Sequence, residues 1–323
     1  QWAALRRVQW LLTLAMLIAA LDIAAHNGHP FAGAQFMSWA VAMVVGTLTL
    51  RRQEQDGLSL MPAPQHLCAW WLALALMLWD AHWRIEHAGL GESWLYAATG
   101  AIAAAWLALT TMGIERRVGA FGDHSESFRK FAAWPLIVGV FIWTLAANTT
   151  CNGSLPPLPY VPVFNALDLA QLALLGAGVR ASRSLVNDAE AKRILPMLFA
   201  AAAFFWVNAV LLRSVHQWTD VPFALHALLR SVVAQAALSL LWTSVALVLM
   251  TIAIRRVSRP LWMAGAALLA LVVFKLFVND LGNTGTVARI VSFIGVGVLL
   301  LIIGYIAPVP PRAATIEDVK EDA

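Results

Sequence analysis

The amino-acid sequence predicts an all-α fold, a polytopic membrane bundle of about ten transmembrane helices. Three observations predict it. Hydrophobic residues make up 60% and charged residues 12% of the 323 positions, whereas soluble domains carry roughly 25% charged residues. The apolar residues gather in runs able to cross about 30 Å of hydrocarbon, with short polar breaks between them. Lys and Arg are abundant in every second break and scarce in the others, which is the pattern that orients helices in a membrane. With a mean hydropathy of +0.72, the chain holds more apolar surface than a water-soluble fold of this length can hide, so lipid is the expected solvent for most of it.

The first expected span, 8–25, follows Arg6-Arg7, which resembles the charged start of a signal peptide. No small-residue cleavage site follows, so the run is read as a retained span, and the opening Gln1 as the continuation of a longer protein. Further spans are expected at 36–50, 67–83, 94–112 and 133–147. The stretch Cys151-Asn-Gly-Ser-Leu-Pro-Pro-Leu-Pro-Tyr-Val-Pro162 cannot be regular helix, because its prolines remove backbone donors and fix φ. It is expected as an extended outer loop before spans at 163–179 and 196–212. The segment from Asp220 to Ile254 would measure roughly 50 Å as a single helix at 1.5 Å per residue. Either a short interfacial helix therefore precedes a span at 232–254, or one helix projects beyond the membrane. Spans at 261–278 and 290–306 complete the bundle, assigned to 1–311, and 312–323 form a polar cytoplasmic tail.

Orientation follows from the basic residues. One set of alternate loops holds only Arg84, Arg213, Arg230, Lys275 and Arg289, and the other holds the remaining seventeen of 22. Both termini are therefore expected in the cytoplasm. The net charge of +4 arises from these short clusters, so the expected partners are membrane lipids and no nucleic acid. Trp10, Trp39, Trp79, Trp83, Trp94, Trp134 and Trp262 fall near expected span ends, where an amphipathic ring prefers the headgroup zone. Cys68 and Cys151 fall at opposite ends of the bundle, which excludes a disulfide between them.

Under this topology His66 and His124 are cytoplasmic, while His26, His29, His82, His87, His216 and His226 are on the outer side. Helical spacing places Asp22 with His26, Asp80 with Arg84, His82 with Glu86, His226 with Arg230 and Lys275 with Asn279 on shared faces. Each pair taken alone is a local interface pair. Together they predict one outward-facing polar cavity, since a charge inside a membrane helix normally faces a partner or a wet cavity. His26-Asn-Gly-His29 and the pair His82 and His87 match no helical metal motif, so no metal or cofactor is expected. Asp168 lies inside an apolar run and is too short to reach the headgroups, so it needs a buried partner, for which Lys275 is one candidate.

The end of the chain carries Arg259-Pro-Leu-Trp262, Phe274-Lys-Leu-Phe-Val-Asn-Asp-Leu281, Thr286-Val-Ala-Arg-Ile-Val-Ser-Phe-Ile-Gly-Val-Gly297 and Gly304-Tyr-Ile-Ala-Pro308. Over roughly Arg259 to Arg312 this resembles the bacterial multi-pass membrane family called domain of unknown function 2339. The resemblance implies a bacterial inner-membrane protein and supplies no reaction. In the residues themselves, Lys275, Asp280 and Arg289 flank the turn Leu281-Gly-Asn-Thr-Gly285 and make a charged tip on a helical hairpin.

The leading functional expectation is an enzyme or binding protein whose outer cavity takes an anionic lipid-linked or glycan substrate. Arg84, Arg213, Arg230, Lys275 and Arg289, with Asp168 and Asp280, are the substrate-binding candidates, because guanidinium forks suit phosphate and carboxylate. His82 and His216, with Asp80 and Asp220, are the acid–base candidates. The rival expectations are a transporter or flippase, in which Asp22, Asp168 and Lys275 couple an ion to movement, and a structural subunit bound to partner membrane proteins.

Overall fold

The structure, a computed structural model, describes residues 3–26, 28–33, 35–57, 59, 61–281, 297 and 301. The expected span at 290–306 lies outside these residues except for Gly297 and Leu301, as do Arg289 and the tail. Two compact units form, Gln1–Phe223 and Ala224–Ala323. The first contains α1 (Ala3–Ala25), α2 (Gln35–Gln55), α3 (Pro62–His87), α4 (Glu92–Glu115), the short α5 (Ala120–Asp123) and α6 (Ser125–Phe128), α7 (Trp134–Thr150), α8 (Ala166–Leu185) and α9 (Ala189–Trp218). The second contains α10 (Leu225–Arg230), α11 (Val232–Arg255) and α12 (Arg259–Leu281). Among the described residues there is no strand, only an isolated bridge between Leu155 and Leu158.

Long helices occupy the first nine expected segments, with shifted ends where local chemistry decides. α8 begins at Ala166 instead of 163, because Val163 adopts a left-handed φ of 68° and Asn165 caps the helix, its side chain accepting from the Asp168 amide at 2.9 Å. Such a cap satisfies one of the orphan N–H groups of a first turn. α9 starts at Ala189, well before the expected 196, since Asp188 caps it through the Ala191 amide at 2.7 Å. In the second unit the break falls at Ser231, whose hydroxyl accepts from the Ala234 amide at 3.3 Å. The short α10 is thus separate from α11, the first of the two arrangements expected for that segment.

Among the described residues, four helical stretches are long and apolar enough to cross a membrane by length and composition: Glu92–Glu115, Ser125–Thr150, Ala189–Trp218 and Val232–Arg255. The second is continuous through a π turn at Arg129–Ala133. Pro135 explains the turn, because it has no N–H to give the Phe131 carbonyl four residues earlier. The Trp134 amide reaches back to Arg129 O instead, and the Phe131 carbonyl accepts from Trp71 Nε1 of α3 at 2.9 Å.

Small residues set how closely the helices of the first unit approach. A Cβ at Gly100 would overlap the Trp143 indole, and one at Gly178 would lie 2.7 Å from the Phe199 ring. This is the packing used where lipid leaves no hydrophobic drive between helices. Leu107, Ile137, Val140, Leu174 and Phe199 fill the core, while Ile142, Leu145, Leu169 and Met197 are exposed. Apolar side chains on the outside of a bundle are what a lipid-facing surface requires. In the second unit, Met250, Ala246 and Leu269 form the core of the α11–α12 hairpin, and Met250 packs against Gly265.

Candidate functional site

The loop at 151–165 folds back onto the end of the first unit, anchored from several sides. Leu155 and Cys151 are buried, the Trp94 indole donates to Pro156 O at 2.9 Å, and the Tyr160 hydroxyl donates to Val210 O at 3.2 Å. Gln217 donates to Asn152 O at 3.1 Å. Burial pushes the Cys151 thiol and the Tyr160 phenol above their ordinary pKa values. Both therefore stay neutral near pH 7, and Cys151 is no thiolate nucleophile.

Beneath the loop stands an ion pair with no access to solvent. Arg213 Nη1 lies 3.0 Å from Asp168 Oδ1, and both side chains are 0% exposed. Three of the other four N–H groups of the guanidinium are committed as well: Nε donates to Cys151 O at 3.0 Å, and Nη2 to Ala147 O and Asn148 Oδ1, both at 2.9 Å. Asp168 Oδ1 also accepts from the Trp206 indole at 3.0 Å, while Oδ2 accepts from Asn165 Nδ2 and from the Val163 amide. A buried ion pair persists only when its remaining donors and acceptors are met in this way. The pair ties α7, α8, α9 and the loop together.

Beside the loop opens a cleft of about 500 Å3, lined among others by Glu92, Ser93, Asn152, Ser154, His216 and Phe223. His216 Nδ1 lies 2.8 Å from Val221 O. A carbonyl can only accept, so Nδ1 carries a proton and Nε2 is the ring atom left free of this contact. Glu92 and Ser93 lie in the first turn of α4, where backbone N–H groups lack helical partners.

The predicted site residues are distributed as follows. Of the substrate-binding candidates, Asp168 and Arg213 meet each other, so the buried partner of Asp168 is Arg213 and not Lys275. Lys275 instead donates to Gln235 O at 2.8 Å and Ser239 Oγ at 3.0 Å on α11. Arg84 clamps Asp80 through Nε at 2.9 and 3.0 Å and is largely exposed. Asp80 also has His29 Nε2 at 2.8 Å, a neighbour from the segment between α1 and α2 that helical spacing could not reveal. His82 is exposed beside Glu86; two positions along a helix from Asp80, it faces another direction. Asp220 is exposed just past α9 and is not among the residues lining the cleft, while Arg230 is exposed at the end of α10. Asp280 lies in α12, its side chain outside the described residues, and Arg289 lies outside them altogether. His216 is the one predicted acid–base residue on the cleft wall.

At the far end of α4, a cluster the spacing did not single out brings His66 and His124 to one carboxylate oxygen of Glu54, at 3.1 and 3.0 Å. Both cysteines are free.

Neither a curated protein nor a solved structure matches the chain. A family profile described as a predicted membrane protein (DUF2339) matches residues 1–310, extending the resemblance seen near the C-terminus over nearly the whole sequence. The chain belongs to this family of membrane proteins of unknown function, domain of unknown function 2339.

Proposed function

We propose that this chain is a bacterial inner-membrane protein of about ten spans, with both termini in the cytoplasm, that binds the glycan portion of a lipid-linked or free saccharide on its outer face. The observation that carries the reading is the cleft of about 500 Å3 beside the loop at 151–165. Its lining alternates hydroxyl, amide and imidazole groups with Pro156, Pro222 and Phe223. That combination matches a ring bearing many hydroxyls and apolar C–H faces, since ligand clefts pair apolar walls with a few placed polar groups. Arg213 is fully buried inside the protein, so it serves the cleft as scaffold and not as an anion grip. His216 Nε2 is the acid–base candidate if a reaction follows binding. Support for the orientation is the loop charge asymmetry, which puts the cleft on the side poor in Lys and Arg.

The reading is tested by titrating the purified full chain in lipid nanodiscs with a polyprenyl-linked disaccharide and with the free disaccharide. His216→Ala and Asn152→Ala should each weaken binding about tenfold, the cost of one lost hydrogen bond of roughly 1.4 kcal/mol, at unchanged melting temperature. Saccharide binding that is absent, or equal in all three proteins, removes the proposal.

A further inference from the structure

We infer that Glu54, His66 and His124 form a binding site for one divalent transition-metal ion at the end of the bundle opposite the outer cleft. The two sites are separated by the length of α4, about 36 Å for its 24 residues at 1.5 Å per residue, and this site is independent of the saccharide reading.

Three segments distant in sequence supply the ligands. Glu54 is in the last turn of α2, His66 in the first turns of α3, and His124 at the junction of α5 and α6. Both imidazoles point the same ring atom, Nε2, at Glu54 Oε1, at 3.1 Å for His66 and 3.0 Å for His124. The three ligand atoms all lie within 4.8 Å of one another. Bonds of about 2.0–2.2 Å to nitrogen and oxygen hold tetrahedral ligands roughly 3.3 Å apart; the two Glu54 contacts are within a few tenths of an ångström of that, and the imidazole nitrogens, within 4.8 Å of one another, need draw together by no more than about 1.5 Å to receive an ion. The side chains are already sheltered, at 5% exposed for His66, 17% for Glu54 and 19% for His124.

Three protein ligands leave a coordination position open. That position has somewhere to face, because Glu54 and His124 line a cavity of about 540 Å3 together with Arg51 and Asp123. Two carboxylates against one guanidinium leave this cavity with a net charge of −1 before any ion enters, which favours a dication. Two imidazoles and one carboxylate are the donor set of catalytic zinc sites and of non-haem iron sites, both of which keep positions open for water or substrate. Calcium and magnesium, which take oxygen ligands, fit this set poorly.

The test uses the purified full chain in detergent, stripped with a chelator and titrated with Co2+, followed by Zn2+ competition. The expected result is one equivalent of Co2+ with a visible ligand-field band that Zn2+ abolishes. Glu54→Gln and His124→Ala should weaken Co2+ binding at least about tenfold, since even outer-shell losses cost 10- to 100-fold. Elution as a monodisperse peak confirms that the variants are folded. If either variant fails to fold, the wild-type titration decides alone, because an absent band or a stoichiometry far from one overturns the inference. A band retained by a folded His66→Ala/His124→Ala protein overturns it equally.

Discussion

Arg213 and Asp168 meet at 3.0 Å with neither side chain reaching solvent, so each is the reason the other can be charged inside the protein. Removing one partner of such a pair strands a buried charge and costs about 3–5 kcal/mol, whereas replacing both with apolar residues is often near neutral. Arg213→Met and Asp168→Leu should therefore each lower the melting temperature sharply in a fixed detergent, and the double variant should recover much of the loss. Simple additivity of the two single losses would show that the residues do not act as a pair.

Val163 holds a left-handed φ of 68°, which costs a branched residue roughly 1–2 kcal/mol. Its amide remains tied to Asp168 Oδ2 at 3.2 Å. Val163→Gly removes the strain and keeps that hydrogen bond, against a glycine entropy cost of about 0.5–1 kcal/mol. The variant should melt at or above the wild-type temperature, while Val163→Pro, which can neither donate nor take this φ, should melt far below it.

Gln171 is fully buried on α8, and neither polar atom of its amide has a hydrogen-bond partner among the described residues. Leaving such a group unmet costs about 1–3 kcal/mol. Gln171→Met, close in length and shape, should raise the melting temperature. A lowered temperature would mean that the amide makes an interaction in the membrane that matters for folding.

The Cys151 thiol is buried and its pKa is raised by that burial. A raised pKa means less thiolate than an ordinary cysteine has at pH 8, which adds slow chemistry to poor access. Maleimide labelling of the native protein followed by peptide mass analysis should leave Cys151 unmodified. In Arg213→Met, which releases the Cys151 carbonyl from Nε, labelling of Cys151 should rise.

The helical layout was legible because apolar runs and proline- or glycine-marked breaks act locally. The run containing Asp168 also announced a buried partner, since a short carboxylate inside an apolar helix has few other fates. Its partner was not legible. Arg213 lies 45 residues away, and Lys275 was an equally plausible cation by sequence alone. The same limit hid Glu54 from His124, 70 residues apart, and His29 from Asp80. Helical spacing exposes pairs that share one helix, such as Asp80 with Arg84, and is blind to pairs made by packing. Val163 was read into a helix because its apolar character fits one, while the φ that excludes it is imposed by the loop and the Asn165 cap.

The π turn at Arg129–Ala133 stores one residue more than a straight α-helix would use over the same rise. Deleting that residue would therefore close the wide turn into ordinary α-helix with the flanking segments in nearly the same phase, leaving the buried Phe128 on the core side. A one-residue difference in chain length at this point is thus absorbed within one turn, and sequences with and without it would present the same stripe of this helix to the interior.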